Sequence, residues 1–171
     1  MADIEGHEGP AFSPNAVHLI RTVQQIHVQL SAMADHKASI LMGATFVIFT
    51  IAMGQGAQAP LPLLILGATA FVAAVLAVLS ILPALRHPIV ASPNLLFFGS
   101  FAQLPEEKFI AEMLGKLHSE EDLYRAMLRD LYQNGVVLER KKYRLLGYAY
   151  RVFLIGLTAS FSSFVLAYLH G

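Results

Sequence analysis

The hydrophobic pattern is dominated by residues 38–85, a stretch that contains no Asp, Glu, Lys or Arg. A bilayer hydrocarbon core about 30 Å thick is crossed by roughly 20 apolar residues in a helix, so this stretch is long enough to cross it twice. Turn-forming residues interrupt the apolar pattern at 54–60. The pattern therefore predicts a transmembrane hairpin over 38–85, with spans at roughly 38–54 and 61–85.

Residues 1–13 are polar and acidic, and we expect a disordered tail there. Ser13 and Pro14 then predict a helix start, because a hydroxyl caps the first turn and proline suits the first helical position. Since no proline or glycine lies between positions 15 and 42, the amphipathic cytoplasmic helix predicted over 14–37 is expected to continue to residue 53.

An apolar stripe along this first helix allows two interpretations. Its members recur at spacings of three and four residues: Ala16, Leu19, Val23, Ile26, Leu30 and Met33. The stripe could pack on later helices of the same chain, or it could be a seam for self-association as in coiled coils. It lasts fewer than three heptads, which favours packing within the chain or a mixture of both. Its candidate oligomer seam consists of Leu19, Val23, Ile26 and Leu30.

Two further helix starts are predicted beyond the hairpin. Proline and acidic residues at Pro105–Glu107 predict a short helix that ends at Gly115. The hydroxyl and acidic residues that begin at Ser119 predict a second start, and no proline follows them. The chain over 120–169 is therefore expected to form one helix, with a candidate kink at the Asn-Gly pair 134–135.

The end of that long helix predicts a third span. Residues 145–171 contain one charged side chain, Arg151, and the transmembrane part is expected at roughly 146–169. The region 86–144 is predicted to form a cytoplasmic loop and helices. The fold class predicted is an all-α integral membrane protein with about three transmembrane helices and long amphipathic cytoplasmic helical extensions.

The distribution of basic residues predicts the orientation. The turn between the first two spans has no basic residue, whereas ten lie between the second and third spans and at the start of the third. They are Arg86, Lys108, Lys116, Arg125, Arg129, Arg140, Lys141, Lys142, Arg144 and Arg151. The positive-inside rule places this region in the cytoplasm. We therefore expect a multi-pass membrane protein with a cytoplasmic N-terminus.

Composition argues against several classes of function. The formal net charge is zero, so nothing favours a nucleic acid partner, and the absence of cysteine excludes thiolate metal sites and cysteine nucleophiles. The sequence contains no HExxH, phosphate-binding P-loop or GxSxG motif, and its histidines lack metal-ligand spacing. We expect a protein that is not an enzyme and has no catalytic residue, metal or cofactor.

Basic residues at the predicted membrane boundary are the main candidate site. The cluster comprises Lys37, Arg140, Lys141, Lys142 and Arg144. Such residues commonly anchor a span and contact anionic lipid, and the alternative is a phosphate-binding pocket. Asp35 lies at the mouth of the first span, where a carboxylate usually has a cationic partner. Together with Asn94, Phe98 and Gly99 of the connecting loop, it is a candidate structural or gating residue.

Three motifs together resemble a known family. They are residues 34–43 (ADHKASILMG), residues 94–99 (NLLFFG) leading into Leu104–Glu107, and residues 141–146 (KKYRLL) before the last span. Their order and spacing resemble the transmembrane effectors of Pycsar, the pyrimidine cyclase system for antiphage resistance. The resemblance covers about residues 15–169.

The resemblance implies a function that composition does not show. In such systems a partner cyclase makes cyclic CMP or cyclic UMP, and the effector then impairs inner membrane integrity and causes abortive infection. The implied partners are the lipid bilayer, the cyclic pyrimidine nucleotide and further copies of the chain in a homo-oligomer. The competing interpretations are a constitutive small ion channel and a membrane anchor or scaffold subunit.

Overall fold

The computed structural model describes residues 12–82 and 93–170, and within these ranges every regular element is a helix. The helices are α1 (Ala16–Gln55), α2 (Leu61–Ile81), α3 (Phe98–Phe101), α4 (Glu106–Leu117), α5 (Glu120–Val137) and α6 (Arg144–His170). A short 3₁₀ turn (Gly56–Gln58) joins α1 to α2, and a π segment (Leu138–Tyr143) joins α5 to α6.

Three of the described helices are long and apolar enough to cross a membrane: Ala16–Gln55, Leu61–Ile81 and the continuous Glu120–His170. The predicted all-α membrane fold with three spans is therefore confirmed. The first half of α1, together with α4, α5 and the π segment, forms the polar end of the molecule. The second half of α1, together with α2 and α6, forms the apolar end.

The first helix is continuous as predicted, but it begins two residues later and ends two residues later than predicted. It starts at Ala16, while the hydroxyl of Ser13 accepts a hydrogen bond from the Asn15 N–H at 3.3 Å. It runs without interruption to Gln55 and ends where Gly56 adopts a φ of +55°. Glycine suits this position because a Cβ would make a left-handed φ costly.

The second span is shorter than predicted. Its helix ends at Ile81, and Leu82 is extended, with φ −53° and ψ 132°. The prediction overlooked Pro83, whose ring disfavours helical geometry in the residue before it. Residues 83–85 of the predicted span lie outside the described residues, as do residues 1–11 of the predicted tail.

The two predicted helix starts on the polar end are confirmed, but one predicted end is wrong. α4 begins directly after Pro105, and the Ser119 hydroxyl accepts the Asp122 N–H at 3.4 Å to cap α5. α4 passes through Gly115 to Leu117, because a glycine costs only about 1 kcal/mol in a helix interior.

The long helix departs from α geometry at a place that was not predicted from the sequence. The Asn-Gly pair 134–135, the candidate kink, lies within regular α5. The π segment follows it at Leu138–Tyr143. Gly135 has a packing role instead, since a Cβ there would lie 3.2 Å from Cε1 of His27 on α1.

Small residues hold the apolar end together. α2 lies between its neighbours and packs most extensively on α6 and next on α1. Its buried positions are Gly67, Ala70, Ala73, Ala77 and Ser80. Small side chains let helix backbones approach closely, which matters in lipid because hydrophobic burial does not drive helices together there. On α6, Gly156 faces Thr69 of α2, and the Ser160 hydroxyl donates to the Pro62 carbonyl at 2.7 Å.

We expect Gly156→Ala to destabilise the protein by about 1–3 kcal/mol, the usual cost of overpacking. The added Cβ would overlap the side chain of Thr69. Gly147→Ala, on the same helix, is the matched control because its Cβ would meet nothing within 4 Å. Thermal unfolding in detergent micelles, followed by circular dichroism, measures both. Equal stabilities for the two variants would contradict the close α2–α6 approach.

Candidate functional site

Lys142 joins the π segment to α1 where the polar and apolar ends meet. Its Nζ lies 2.7 Å from each carboxylate oxygen of Asp35 and 2.7 Å from the Ser31 hydroxyl. The lysine side chain is 18% exposed and the aspartate side chain 40%. Lys142 is thus the cationic partner expected for Asp35, and its partial burial makes the pair stronger than a fully exposed one.

Two tyrosines reinforce this junction. The Tyr143 hydroxyl donates to the Leu30 carbonyl at 3.0 Å, and the Tyr150 hydroxyl donates to the Lys37 carbonyl at 3.0 Å. Directly beneath, Ala34 and Ala38 of α1 are buried in a core shared with α2 and α6. These contacts fix the rotation of α1 relative to the long helix at this level.

The members of the predicted basic cluster differ in exposure and in their partners. Lys37, Arg140 and Arg144 are exposed, Lys141 is half-buried, and Arg140 Nε lies 3.8 Å from Glu139 Oε2. Lys142 points instead to Asp35. The phosphate-binding role of this cluster stays a prediction.

A cavity of about 560 Å³, here called the acidic cavity, lies between α1 and α5. Two carboxylates, Asp35 and Asp130, line it together with the ammonium of Lys142. Nδ1 of His27 also lines it, is buried, and has no hydrogen-bond partner among the described residues. With two carboxylates against one lysine, this lining disfavours an anion.

A buried hydrogen-bond network centred on Asn94 ties the connecting loop to both long helices. Asn94 Nδ2 donates to Asp130 Oδ1 at 3.0 Å and to Gln133 Oε1 at 2.9 Å. The other oxygen of Asp130 accepts from Gln24 of α1 at 3.4 Å. Asn94 and Asp130 are both buried, and buried polar groups of this kind are costly unless paired. Asn94, a candidate structural residue, therefore connects the loop, α5 and α1.

The other two loop candidates lie in α3, and Gly99 is half-buried there. Phe98 is exposed, whereas Leu95 three residues earlier is buried. Gly99 lies against the ring of Phe97, and an added Cβ would come 2.5 Å from that ring. The apolar segment 95–98 is therefore buried at its first residue and exposed at its last.

A second cavity, of about 580 Å³ and here called the basic cavity, lies beside the start of the described loop. Its lining includes three cations, one carboxylate and one tyrosine: Lys116, Arg125, Arg129, Asp122 and Tyr132. Sequence reasoning missed this grouping because the cations are spread over two helices and resemble ordinary solvated side chains. The i, i+3 and i+4 spacing of the α5 members was the available signal.

The apolar stripe of α1 packs only in part on the chain's own helices. Leu19, Ile26 and Met33 are 68%, 46% and 50% exposed. Val23 and Leu30 are half-buried. Part of the stripe therefore packs within the chain and part is exposed, and self-association through the exposed part stays a prediction. Polar residues of α1 also face inward, where Asp130 and Lys142 bind them.

No group of three or more His, Cys, Asp or Glu that could hold a metal ion occurs in the described part of the chain.

A family model described as the Pycsar effector protein domain matches residues 18–169. The match begins within the first turn of α1 and ends one residue before the last residue of α6. No curated protein and no solved structure matches the chain.

We expect the Asp35–Lys142 pair to show a coupling energy of about 1–3 kcal/mol, the range of a hydrogen-bonded pair with a charged group. A double-mutant cycle of Asp35→Asn and Lys142→Met, read from unfolding free energies in detergent micelles, measures it. Asp35→Asn should lower the free energy of unfolding more than Lys142→Met does. It leaves the ammonium of Lys142, the less exposed of the two charges, without its carboxylate partner.

The matched control is the exposed pair Lys108–Glu112 on α4, whose charged atoms are 3.9 Å apart. Lys108→Met with Glu112→Gln should show a coupling of at most about 0.5 kcal/mol, as for other exposed pairs. A coupling at Asp35–Lys142 as small as the control would mean that the pair does not hold the junction.

Proposed function

Because the chain belongs to the Pycsar effector family, we propose that this antiphage defence effector is activated by cyclic CMP or cyclic UMP and then impairs inner membrane integrity. The observation that carries the proposal is the family match, which spans both the polar and the apolar ends. The resulting loss of the membrane barrier would stop an infected cell before phage mature.

Two continuous helices connect the polar end, where a ligand would bind, to the apolar end in the membrane. α1 runs 40 residues, and the α5–α6 helix runs 51, each from the polar end into the apolar end without a break. A ligand that binds one arrangement of the polar end better than another shifts the population of both ends together. The effector acts through this shift and not through catalysis.

The proposed setting is the bacterial inner membrane. The three candidate spans cross it, the basic residues of the polar end lie in the cytoplasm, and the 3₁₀ turn at Gly56–Gln58 faces outward. The nucleotide made by a cytoplasmic cyclase would then reach the polar end directly.

The active form we propose is a homo-oligomer, because three helices enclose no water-filled path. The exposed members of the apolar stripe on α1 support this assembly. Leu19, Ile26 and Met33 recur every seven residues, and exposed Ile40 and Val47 continue the series into the apolar end. A seven-residue apolar repeat is the pattern that a second helix covers. Val23 and Leu30, the other two members of the candidate seam, are half-buried.

Two other functions remain as alternatives with distinct outcomes. A constitutive ion channel would conduct without nucleotide. A membrane anchor or scaffold subunit would leave the bilayer intact under all conditions. The family match favours the effector over both.

We expect liposomes that contain the purified full-length protein to release an encapsulated dye on addition of one cyclic pyrimidine nucleotide. Cyclic CMP or cyclic UMP is supplied on both sides of the bilayer, so that protein orientation does not matter. Cyclic AMP, which has the same phosphodiester and a purine base, is the matched control and should release none. Leakage without nucleotide would favour the channel, and no leakage with either pyrimidine nucleotide would favour the anchor.

We expect Leu19→Asn with Ile26→Asn to dissociate the oligomer and abolish dye release, because a polar side chain at each position removes apolar contact with the second copy. Val28→Asn is the matched control, since Val28 is 70% exposed on the same helix but lies off the stripe. Light scattering with size-exclusion chromatography measures assembly. An unchanged oligomer in the double variant would show that the seam lies elsewhere.

A further inference from the structure

The two cavities of the polar end differ in charge. The acidic cavity presents two carboxylates and one lysine, whereas the basic cavity presents three cations and one carboxylate. The phosphodiester of a cyclic nucleotide carries one negative charge. Charge alone therefore separates the two cavities and favours the basic one for such a ligand.

Two cations of the basic cavity, Arg125 and Lys116, are held by contacts that a phosphate can replace. Arg125 Nε donates to Glu121 Oε1 at 2.8 Å, and Lys116 Nζ lies 3.7 Å from Asp122. Both pairs are solvent-exposed, and exposed pairs contribute little to stability. Arginine has five N–H donors in a planar fork, which matches the two free oxygens of a phosphodiester.

The cavity also offers a surface for a flat ring. Tyr132 lines it and is 73% exposed. On α5, Asp122, Arg125, Arg129 and Tyr132 follow one another at spacings of three, four and three residues, so they share one helix face. A phosphate at the arginines therefore leaves a base within reach of the tyrosine ring. The volume of about 580 Å³ falls in the range of roughly 300–1,000 Å³ typical of small-molecule sites.

The same cavity is connected to α1 by hydrogen bonds. Asn94 lines the basic cavity and donates to Asp130, whose second oxygen accepts from Gln24 of α1. A ligand that moves the loop at Asn94 thus acts on α1 through one buried and one part-buried hydrogen bond. Of the predicted basic cluster at the membrane boundary, Lys142 lines the acidic cavity and binds Asp35.

We infer that the basic cavity is the nucleotide site of this effector, with Lys116, Arg125 and Arg129 at the phosphate and Tyr132 stacked on the base. The inference rests on the proposed function and names where its ligand binds. The Asn94–Asp130–Gln24 contacts then carry the signal from this site to α1.

Isothermal titration calorimetry of the detergent-solubilised full-length protein, with cyclic CMP and cyclic UMP as probes, tests the site. Lys116→Gln with Arg125→Gln should weaken binding about tenfold or more for each charge removed. Tyr132→Ala should weaken it about five- to a hundredfold through lost stacking, whereas Tyr132→Phe should leave it unchanged. The mutated side chains are largely exposed, and circular dichroism checks the fold of each variant.

Two controls make the outcome decisive. Lys108→Gln removes a cation from an exposed pair that lies off the cavity, and it should bind as the unchanged protein does. Arg140→Gln with Lys141→Gln tests the cluster at the membrane boundary and should also keep binding. Loss of binding in this second variant, with binding kept in the Lys116/Arg125 variant, would overturn the inference and leave the proposed function standing. An unchanged protein that binds neither nucleotide and releases no dye would overturn both.

Discussion

Unbroken backbone hydrogen bonding across the boundary between water and lipid is the constraint on which this structure depends. Inside a bilayer a polypeptide cannot leave its N–H and C=O groups unpaired, so the spans must be helices. In this chain two of those helices do not end at the boundary: α1 continues into the polar end, and α6 continues through the π segment into α5. Any rotation of the polar end is therefore passed to the spans, because no loop intervenes to absorb it.

The π segment lets both halves of the long helix face their neighbours, α1 at the polar end and α2 at the apolar end. The residues by which this helix contacts its neighbours recur every four positions, at Asp130, Asn134, Leu138, Lys142 and Leu146. A regular α-helix of 3.6 residues per turn would rotate such a series steadily away from α1. The wider turns of the π segment keep Lys142 facing Asp35, and regular packing on α2 resumes at Ala149 and Gly156. Departures of this kind are frequent at functional sites in other proteins.

Prediction from sequence succeeded where a local rule decides the outcome and failed where contacts between helices decide it. The apolar stretch 38–85 located the first two spans, and the caps at Pro105 and Ser119 located two helix starts. The carboxylate of Asp35 predicted a cationic partner, which is Lys142. Pro83 would have ended the second span correctly had its effect on Leu82 been considered. The π segment could not be foreseen, because no local sequence signal marks the change from α to π geometry at Leu138–Tyr143. The polar contacts of α1 were hidden as well, since Gln24 and Ser31 bind Asp130 and Lys142, which lie more than 100 positions away in the sequence.

The three spanning helices are held by two kinds of contact. Close packing of small residues joins α2 to α6, whereas hydrogen bonds and an ion pair hold the polar half of α1. α2 and α6 meet along small residues, and at Gly156 they approach so closely that a single added methyl group has no room. α1 packs on α2 but contacts α6 little, and its polar half is held by hydrogen bonds and one ion pair. Polar contacts can exchange partners with a bound anion or with water, whereas close-packed small residues have no alternative partner. In the proposed effector, α1 is therefore the helix on which ligand binding acts, and the α2–α6 pair is the frame against which it moves.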